Sequence, residues 1–80
     1  MMTTLGSEEK NFLGVAVAAI PRVTEIIAAY PAEYRSGALE TAERRYIEAA
    51  RDFGCTELAA RSSVSEVMRN LRTQVEAVAA

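Results

Sequence analysis

Apolar side chains recur every three or four residues along three stretches of the chain, the spacing of one face of an α-helix. Ser7, followed by Glu8 and Glu9, predicts the first helix start, because a hydroxyl and two acids suit the positive end of a helix. The wide apolar arc that follows predicts a central or intersubunit helix. It consists of two neighbouring stripes: Phe12, Ala16, Ala19, Val23, Ile26 and Tyr30, and beside them Leu13, Val17, Ile20 and Ile27.

Pro21 interrupts this first stretch. Its ring removes an amide donor and clashes with the carbonyl four residues earlier. The sequence therefore predicts either a kink near Val17 or two shorter helices that meet at Ile20. The next helix starts at Pro31 or, as an alternative, at the Ser36-Gly37 pair, because proline suits a first helical position and serine suits a cap.

The second stretch ends at Gly54, which fits a left-handed residue that closes a helix. Thr56 can cap the third, for which two alternatives stay open: one helix over residues 57–79, or a turn at residues 61–63 and a restart at Val64, where Ser63 to Glu66 has capping-box spacing. The buried stripe predicted for the second stretch is Leu39, Ala42, Tyr46, Ala49 and Phe53, widened by Ile47 and Ala50. For the third it is Ala60, Val64, Met68, Leu71, Val75 and Val78, with Leu58 and Val67 alongside.

The pattern predicts an all-α fold, a small bundle of three helical segments, because no stretch shows the alternation of a strand. Residues 1–80 form one domain, with a disordered tail at residues 1–6. A chain of this length buries only about 60% of its unfolded surface. The single cysteine excludes an internal disulfide, and the lack of histidine argues against a zinc site, so neither can stabilise this small domain. We therefore expect the bundle to form a homodimer.

The net charge and the residue types of the chain exclude several classes of function. The net charge of −2, from nine basic and eleven acidic residues spread along the chain, excludes the electrostatic pattern of a strong nucleic-acid or membrane binder. The apolar run at residues 12–20 is too short to span a bilayer and lacks a basic leader, so we expect a cytoplasmic protein. We therefore expect Cys55 to be a reduced, unreactive thiol in a bacterial-type cytosol.

Catalysis is not expected, because the chain has no histidine base, no glycine-rich phosphate loop and no acid pair placed to converge. We expect no metal, no cofactor and no small-molecule substrate. The pattern instead favours a protein–protein interaction or regulatory module that binds itself or another protein. The predicted interface comprises Phe12, Leu13, Val17, Ile20 and Met68.

A second pattern runs from residue 45 to residue 65: a helix, then Gly54, a Thr56 cap, the pair Ala59-Ala60, and Val64-Ser65. It resembles the first two helices of the bacterial helix-turn-helix domains of the LysR type, although Ser62 stands where that family places a core leucine. The resemblance implies, as the alternative, a degenerate helix-turn-helix regulator that binds DNA through residues 45–79. Its phosphate contacts would come from Arg61, Ser65, Arg69 and Arg72.

Overall fold

The computed structural model of the chain describes residues 7–79. Three helices, α1 (Ser7–Ala28), α2 (Ala32–Asp52) and α3 (Glu57–Ala79), form an elongated body of 46 × 18 × 15 Å. No strand occurs among the described residues, so the predicted all-α bundle is confirmed. The tail predicted at residues 1–6 lies outside the described residues.

Helices α1 and α3 supply almost all of the core. On α3 the buried side chains follow the predicted stripe, and Met68 and Leu71 are fully enclosed. The stripe is shorter than predicted at both ends, because Leu58 and Val78 are exposed. The buried residues are Phe12, Ala16, Ile20, Thr24 and Ile27 on α1, and Ala60, Ser63, Val64, Val67, Met68, Leu71 and Val75 on α3.

The buried line of α1 runs between its two predicted stripes. Its first four members are each four residues apart, so they form a single ridge that packs against α3. The stripes are therefore divided: Ile26 and Tyr30 are exposed on one side of the ridge, and Val17 is exposed on the other. One packed helix, α3, covers this ridge but not the whole apolar arc.

Pro21 lies inside α1, which is a single helix from Ser7 to Ala28. The alternative of two helices that meet at Ile20 is therefore wrong, and the kink stays a prediction. Pro21 leaves the carbonyl of Val17 without its helical donor. Both residues are exposed, so water can hydrate that carbonyl and the helix continues.

Helix α2 is much less covered than predicted. Of its predicted stripe only Ala50 is buried, and Phe53, beyond its last residue, is 36% exposed. The other members are half-buried: Leu39, Ala42, Tyr46, Ile47 and Ala49. Because alanines make up much of this stripe, α2 offers little area to its neighbours and leaves its side of the bundle open.

The α1–α2 connection begins α2 at Ala32, directly after Pro31, so Ser36 lies inside the helix and is not its start. The last turn of α1 carries no basic residue of its own. Arg35 of α2 supplies one, since its Nη2 donates a hydrogen bond to the carbonyl of Ala28 at 3.2 Å.

The α2–α3 connection is a tight glycine turn. Gly54 has a φ of 96°, as the sequence predicts. Its amide donates to the carbonyl of Arg51 at 2.9 Å, and the amide of Cys55 donates to that of Ala50 at 3.0 Å. This is the Schellman pair of hydrogen bonds, which satisfies the last carbonyls of α2.

Helix α3 then runs unbroken from Glu57 to Ala79, so of the two alternatives the single helix is confirmed and the restart at Val64 is wrong. Thr56 caps it as predicted, because its Oγ1 accepts the amide of Ala59 at 3.1 Å. A serine in a helix interior costs only a few tenths of a kcal/mol, so Ser62 and Ser63 do not break the helix.

Gly54→Ala tests the turn. The positive φ strains any residue with a Cβ, and the new Cβ would lie 3.2 Å from Cγ of Glu8 on α1. We expect a loss of about 1–2 kcal/mol in the free energy of unfolding, measured by urea denaturation.

The matched control is Gly14→Ala, a helical position where nothing lies within 4 Å of the added methyl. It should raise stability by up to about 1 kcal/mol. Equal effects of the two variants would contradict the left-handed conformation of Gly54.

Candidate functional site

A broad apolar groove lies between α1 and α2, on the side of the bundle that α3 leaves open. It holds about 590 Å³ and is widest towards the α1–α2 connection, where Tyr30 and Tyr34 are 44% and 60% exposed. Its other residues are Val23, Ile26 and Ile27 of α1 and Gly37, Ala38, Thr41, Ala42 and Arg45 of α2. We call this surface the α1–α2 groove.

A second hollow of about 330 Å³ extends the α1–α2 groove towards the α2–α3 turn and shares Val23, Ala42 and Arg45 with it. The residues that complete it are Ala19, Tyr46 and Ala49. The groove is therefore continuous along α1 and α2, with large and small side chains in both parts.

The electrostatics of the groove are simple. Among the described residues that line it, Arg45 alone carries a charge. Burial raises the pKa of the Tyr46 phenol above its ordinary value of 10.0, so this hydroxyl is protonated at neutral pH. The groove therefore offers apolar contact with one cation at its rim and no acid, which suits apolar side chains and not a charged substrate.

The predicted interface does not coincide with this surface. Phe12, Ile20 and Met68 lie in the core of the single chain, so they have no exposed area to offer a partner. Leu13 is half-buried against the core, and Val17 is 49% exposed on the side of α1 away from α2. The predicted interface is thus corrected to Leu13 and Val17 at most, because the apolar ridge of α1 is used by α3.

Val17 lines a smaller groove, of about 370 Å³, between α1 and α3. Its walls are more polar than those of the α1–α2 groove, since Asn70 and Gln74 contribute side-chain amides. Thr24 also lines it but is only 4% exposed, and its hydroxyl has no hydrogen-bond partner. Such a small polar hollow provides less area for a partner than the α1–α2 groove does.

The four residues of the DNA-binding alternative, Arg61, Ser65, Arg69 and Arg72, are all exposed on one face of α3. Because α3 is continuous, the separate recognition helix implied by the resemblance is not formed. Two of the arginines are in ion pairs: Arg61 Nε lies 3.1 Å from a Glu57 carboxylate oxygen, and Arg72 Nη2 lies 3.6 Å from Glu43. These pairs lower the net positive charge of that face.

The chain offers little reactive chemistry. Burial, followed by the charges of Glu9 and Glu8, raises the pKa of the Cys55 thiol, so it is protonated at neutral pH. Within residues 7–79, no group of three or more acidic, cysteine or histidine side chains could hold a metal ion.

Helix α1 is apolar and long enough, by length and composition, to cross a membrane. Over Glu8–Ala28 its most apolar window has a mean hydropathy of 1.4, although the run at residues 12–20 is too short when taken alone. The core helix of a folded domain meets the same criterion. In this fold Phe12, Ile20 and Ile27 of α1 pack in the core.

Comparison of the chain with protein-family models, with curated proteins and with solved structures finds no match.

The sequence analysis missed the α1–α2 groove although it named most of its apolar residues. Ile26 and Tyr30 were predicted on one apolar stripe of the first helix, and Ala42 and Tyr46 on the buried stripe of the second. The signal that could have indicated the groove is the pair Gly37-Ala38, because residues this small cannot fill the space between two helices.

Glu57→Gln tests the ion pairs at the start of α3. Arg51 and Arg61 both donate to the Glu57 carboxylate, and Arg51 does so with two nitrogens, at 3.1 and 3.0 Å. The hydrogen bond from Arg51 holds the pKa of Glu57 below its ordinary value, so the stabilisation is present at neutral pH and is lost as pH falls through the folded-state pKa.

Urea unfolding of both proteins between pH 7 and pH 3 measures this loss. The stability difference between wild type and Glu57→Gln should be constant above about pH 6 and shrink below about pH 4.3. The control is Glu66→Gln, an exposed position on the same helix. A difference that stays constant down to pH 3 would show that the carboxylate charge contributes nothing.

A gel-shift series tests the DNA-binding alternative. We expect no retardation of random duplex DNA by the wild-type chain at about 50 mM salt, because the net charge is −2 and Arg61 and Arg72 are paired. Retardation that weakens steeply towards about 200 mM salt and is reduced by Arg69→Gln would contradict this expectation.

Proposed function

We propose that this chain is a non-catalytic protein–protein interaction module of the cytoplasm that binds an apolar helical surface in its α1–α2 groove. The observation that carries the proposal is the composition of the groove. All three tyrosines of the chain line it, together with Arg45, and its described lining contains no lysine, aspartate or glutamate. Tyrosine and arginine enrichment with few other charges is typical of the centre of protein interfaces.

A helix is the occupant that the shape favours. The groove is the open space between two neighbouring helices, and residues that line it recur on α2 at spacings of four and three: Tyr34, Ala38, Ala42, Arg45 and Ala49. An amphipathic helix lays anchors at the same spacing into such a groove. A third helix on this side would complete the cover that α2 lacks.

Burial of the exposed groove residues would supply part of the free energy of binding. Ile26, Tyr30 and Tyr34 are between 44% and 60% exposed, and full burial of a large apolar side chain contributes about 1.5–3 kcal/mol. Burying the remaining surface of these three residues therefore contributes on the order of 2–4 kcal/mol before the smaller groove residues are counted. That contribution helps to offset the entropy lost on association.

Position-specific photo-crosslinking tests the proposal. A photoreactive phenylalanine analogue in place of Tyr34 should give a crosslinked protein adduct when the chain is irradiated in its native lysate or in purified form at tens of micromolar. The adduct should disappear when Ile26→Glu is added, since a buried carboxylate in the groove is unfavourable.

The matched control carries the same analogue at Leu58, which is 79% exposed on α3, far from the groove. Equal adduct yields at positions 34 and 58, or adducts at position 34 that survive Ile26→Glu, would contradict the proposal.

A further inference from the structure

We infer that the smaller groove between α1 and α3 is a binding site for a small neutral molecule with a carboxamide group and an apolar body. We call this surface the α1–α3 groove. Its volume of about 370 Å³ is within the range of small-molecule sites. The site is separate from the α1–α2 groove, and the ligand is bound there without a reaction. The lining residues are Val17, Ile20, Pro21, Thr24 and Glu25 of α1 and Asn70, Gln74 and Val78 of α3.

The hydroxyl of Thr24 is the first sign of a ligand. Thr24 is 4% exposed, and its Oγ1 has no hydrogen-bond partner. A threonine inside a helix can donate to the carbonyl four residues earlier, and Thr73 of α3 does so, to the carbonyl of Arg69 at 3.0 Å. Thr24 makes no such bond to Ile20. Because a buried hydroxyl without a partner costs free energy, Thr24 indicates a partner that the chain itself does not supply.

A backbone acceptor lies on the same side of α1. Pro21 has no N–H, so the carbonyl of Val17 lacks its helical donor. Val17 and Thr24 both line the groove and are close to two helical turns apart. Helix carbonyls point towards the carboxyl end, whereas side chains lean towards the amino end. The Val17 carbonyl and the Thr24 hydroxyl therefore approach each other more closely than the two Cα atoms do, and one ligand group can contact both.

The opposite wall supplies two further polar groups. Asn70 and Gln74 are one turn apart on α3, and within residues 7–79 neither side chain makes a hydrogen bond. Each carboxamide can both donate and accept. Val78 continues this line at the same spacing and is 60% exposed, so it adds apolar surface. The groove thus combines free hydrogen-bonding groups on both walls with apolar contacts.

These groups select the chemistry of the ligand. The Val17 carbonyl can only accept a hydrogen bond, whereas the Thr24 hydroxyl needs an acceptor for its proton, so the ligand must both donate and accept. A primary carboxamide does this with two adjacent atoms. A carboxylate has no proton for Val17, and it would be repelled by Glu25, the one charged residue in the described lining. An ammonium group has no lone pair for the proton of Thr24.

An NMR titration of the ¹⁵N-labelled full chain with 3-phenylpropanamide tests the inference. A ligand of this size with ordinary efficiency binds with a dissociation constant on the order of 1–10 mM. We expect saturable shifts at the backbone amide of Thr24 and at the side-chain amides of Asn70 and Gln74. The matched probe, 3-phenylpropanoate, has the same shape and should bind at least about 10-fold more weakly.

Two variants separate binding from folding. Thr24→Val removes the hydroxyl, and Pro21→Ala restores the N–H that pairs with the Val17 carbonyl. Each should weaken binding of the amide probe at least about 5-fold, because each removes one hydrogen bond to the ligand. Each should also raise the urea midpoint of the free chain, because an unpartnered polar group is removed. A variant that is more stable yet binds less has not lost its site by unfolding.

The controls change the same residue type elsewhere or the other groove. Thr73→Val alters an exposed threonine whose hydroxyl is already bonded to the Arg69 carbonyl, so it should keep the affinity and not raise the midpoint. Ile26→Glu alters the α1–α2 groove and should also keep the affinity. Loss of probe binding in the α1–α3 groove would leave the crosslinking from position 34, and with it the proposed function, unaffected.

Four results would overturn the inference. The first is the lack of a saturable shift up to about 20 mM amide, above the expected dissociation constant. The second is equal binding of the amide and the carboxylate. The third is unchanged affinity in Thr24→Val and Pro21→Ala, or an unchanged urea midpoint in Thr24→Val, which would show that water satisfies the hydroxyl. The fourth is binding that only Ile26→Glu abolishes, which would place the probe in the α1–α2 groove.

Discussion

The ridge of α1 packed against α3 is the contact on which the rest of the structure depends. Phe12, Ala16 and Ile20 occupy successive turns, so they form one row that fits the apolar face of α3. Together with α2, this row buries almost the whole apolar face of α3. The enclosed side chains of α3 include Val64, Val67, Met68 and Leu71. Nothing comparable remains for α2. Its alanine-rich face is held by partial contacts, and the space beside it stays open as the α1–α2 groove.

Aromatic residues fix how α2 sits at the closed end of the bundle. The ring of Phe12 makes edge-to-face contacts with Tyr46 and Phe53, at centroid distances of 6.5 and 6.0 Å. At the opposite end, Gly37 and Ala38 of α2 line the groove together with Tyr34 and Ile26. The two helices are thus joined through large side chains near the α2–α3 turn and are separated by a groove near the α1–α2 connection. The candidate site is a direct result of this unequal distribution.

The sequence was sufficient for the α2–α3 connection, which depends on local chemistry. The cap at Thr56 and the left-handed Gly54 follow from side chains and backbone preferences within a few residues. The stripe of α3 follows from spacing alone, because this helix has one apolar face. On α1 the spacing was ambiguous, since two stripes of similar hydrophobicity lie side by side. Which line between them is buried depends on the volume of α3, and a helical period carries no information about that volume.

The same reasoning explains why the interface residues were misplaced. Phe12 and Ile20 lie on the line of α1 that packs against α3, so the core of the chain itself buries them, whereas Ile26, the same residue type as Ile20, lies off that line and is exposed. A surface for a partner is built from what is left, here Ile26, Tyr30 and Tyr34. Periodicity identifies the apolar residues of a helix but does not tell which of them are buried. A candidate site of this kind is therefore visible only when the positions of all three helices are known.

The order of the helices along the chain has a consequence for biosynthesis. The most extensive packing joins the first helix to the last, and about 28 residues separate the end of α1 from the start of α3. A ribosome therefore releases α1 well before its main partner exists. During that interval the nascent chain exposes Phe12, Ile20 and Ile27 together. Helix α2 can cover them only in part, because its apolar face consists largely of alanines. The risk of aggregation is therefore concentrated in the interval before the 23 residues of α3 emerge.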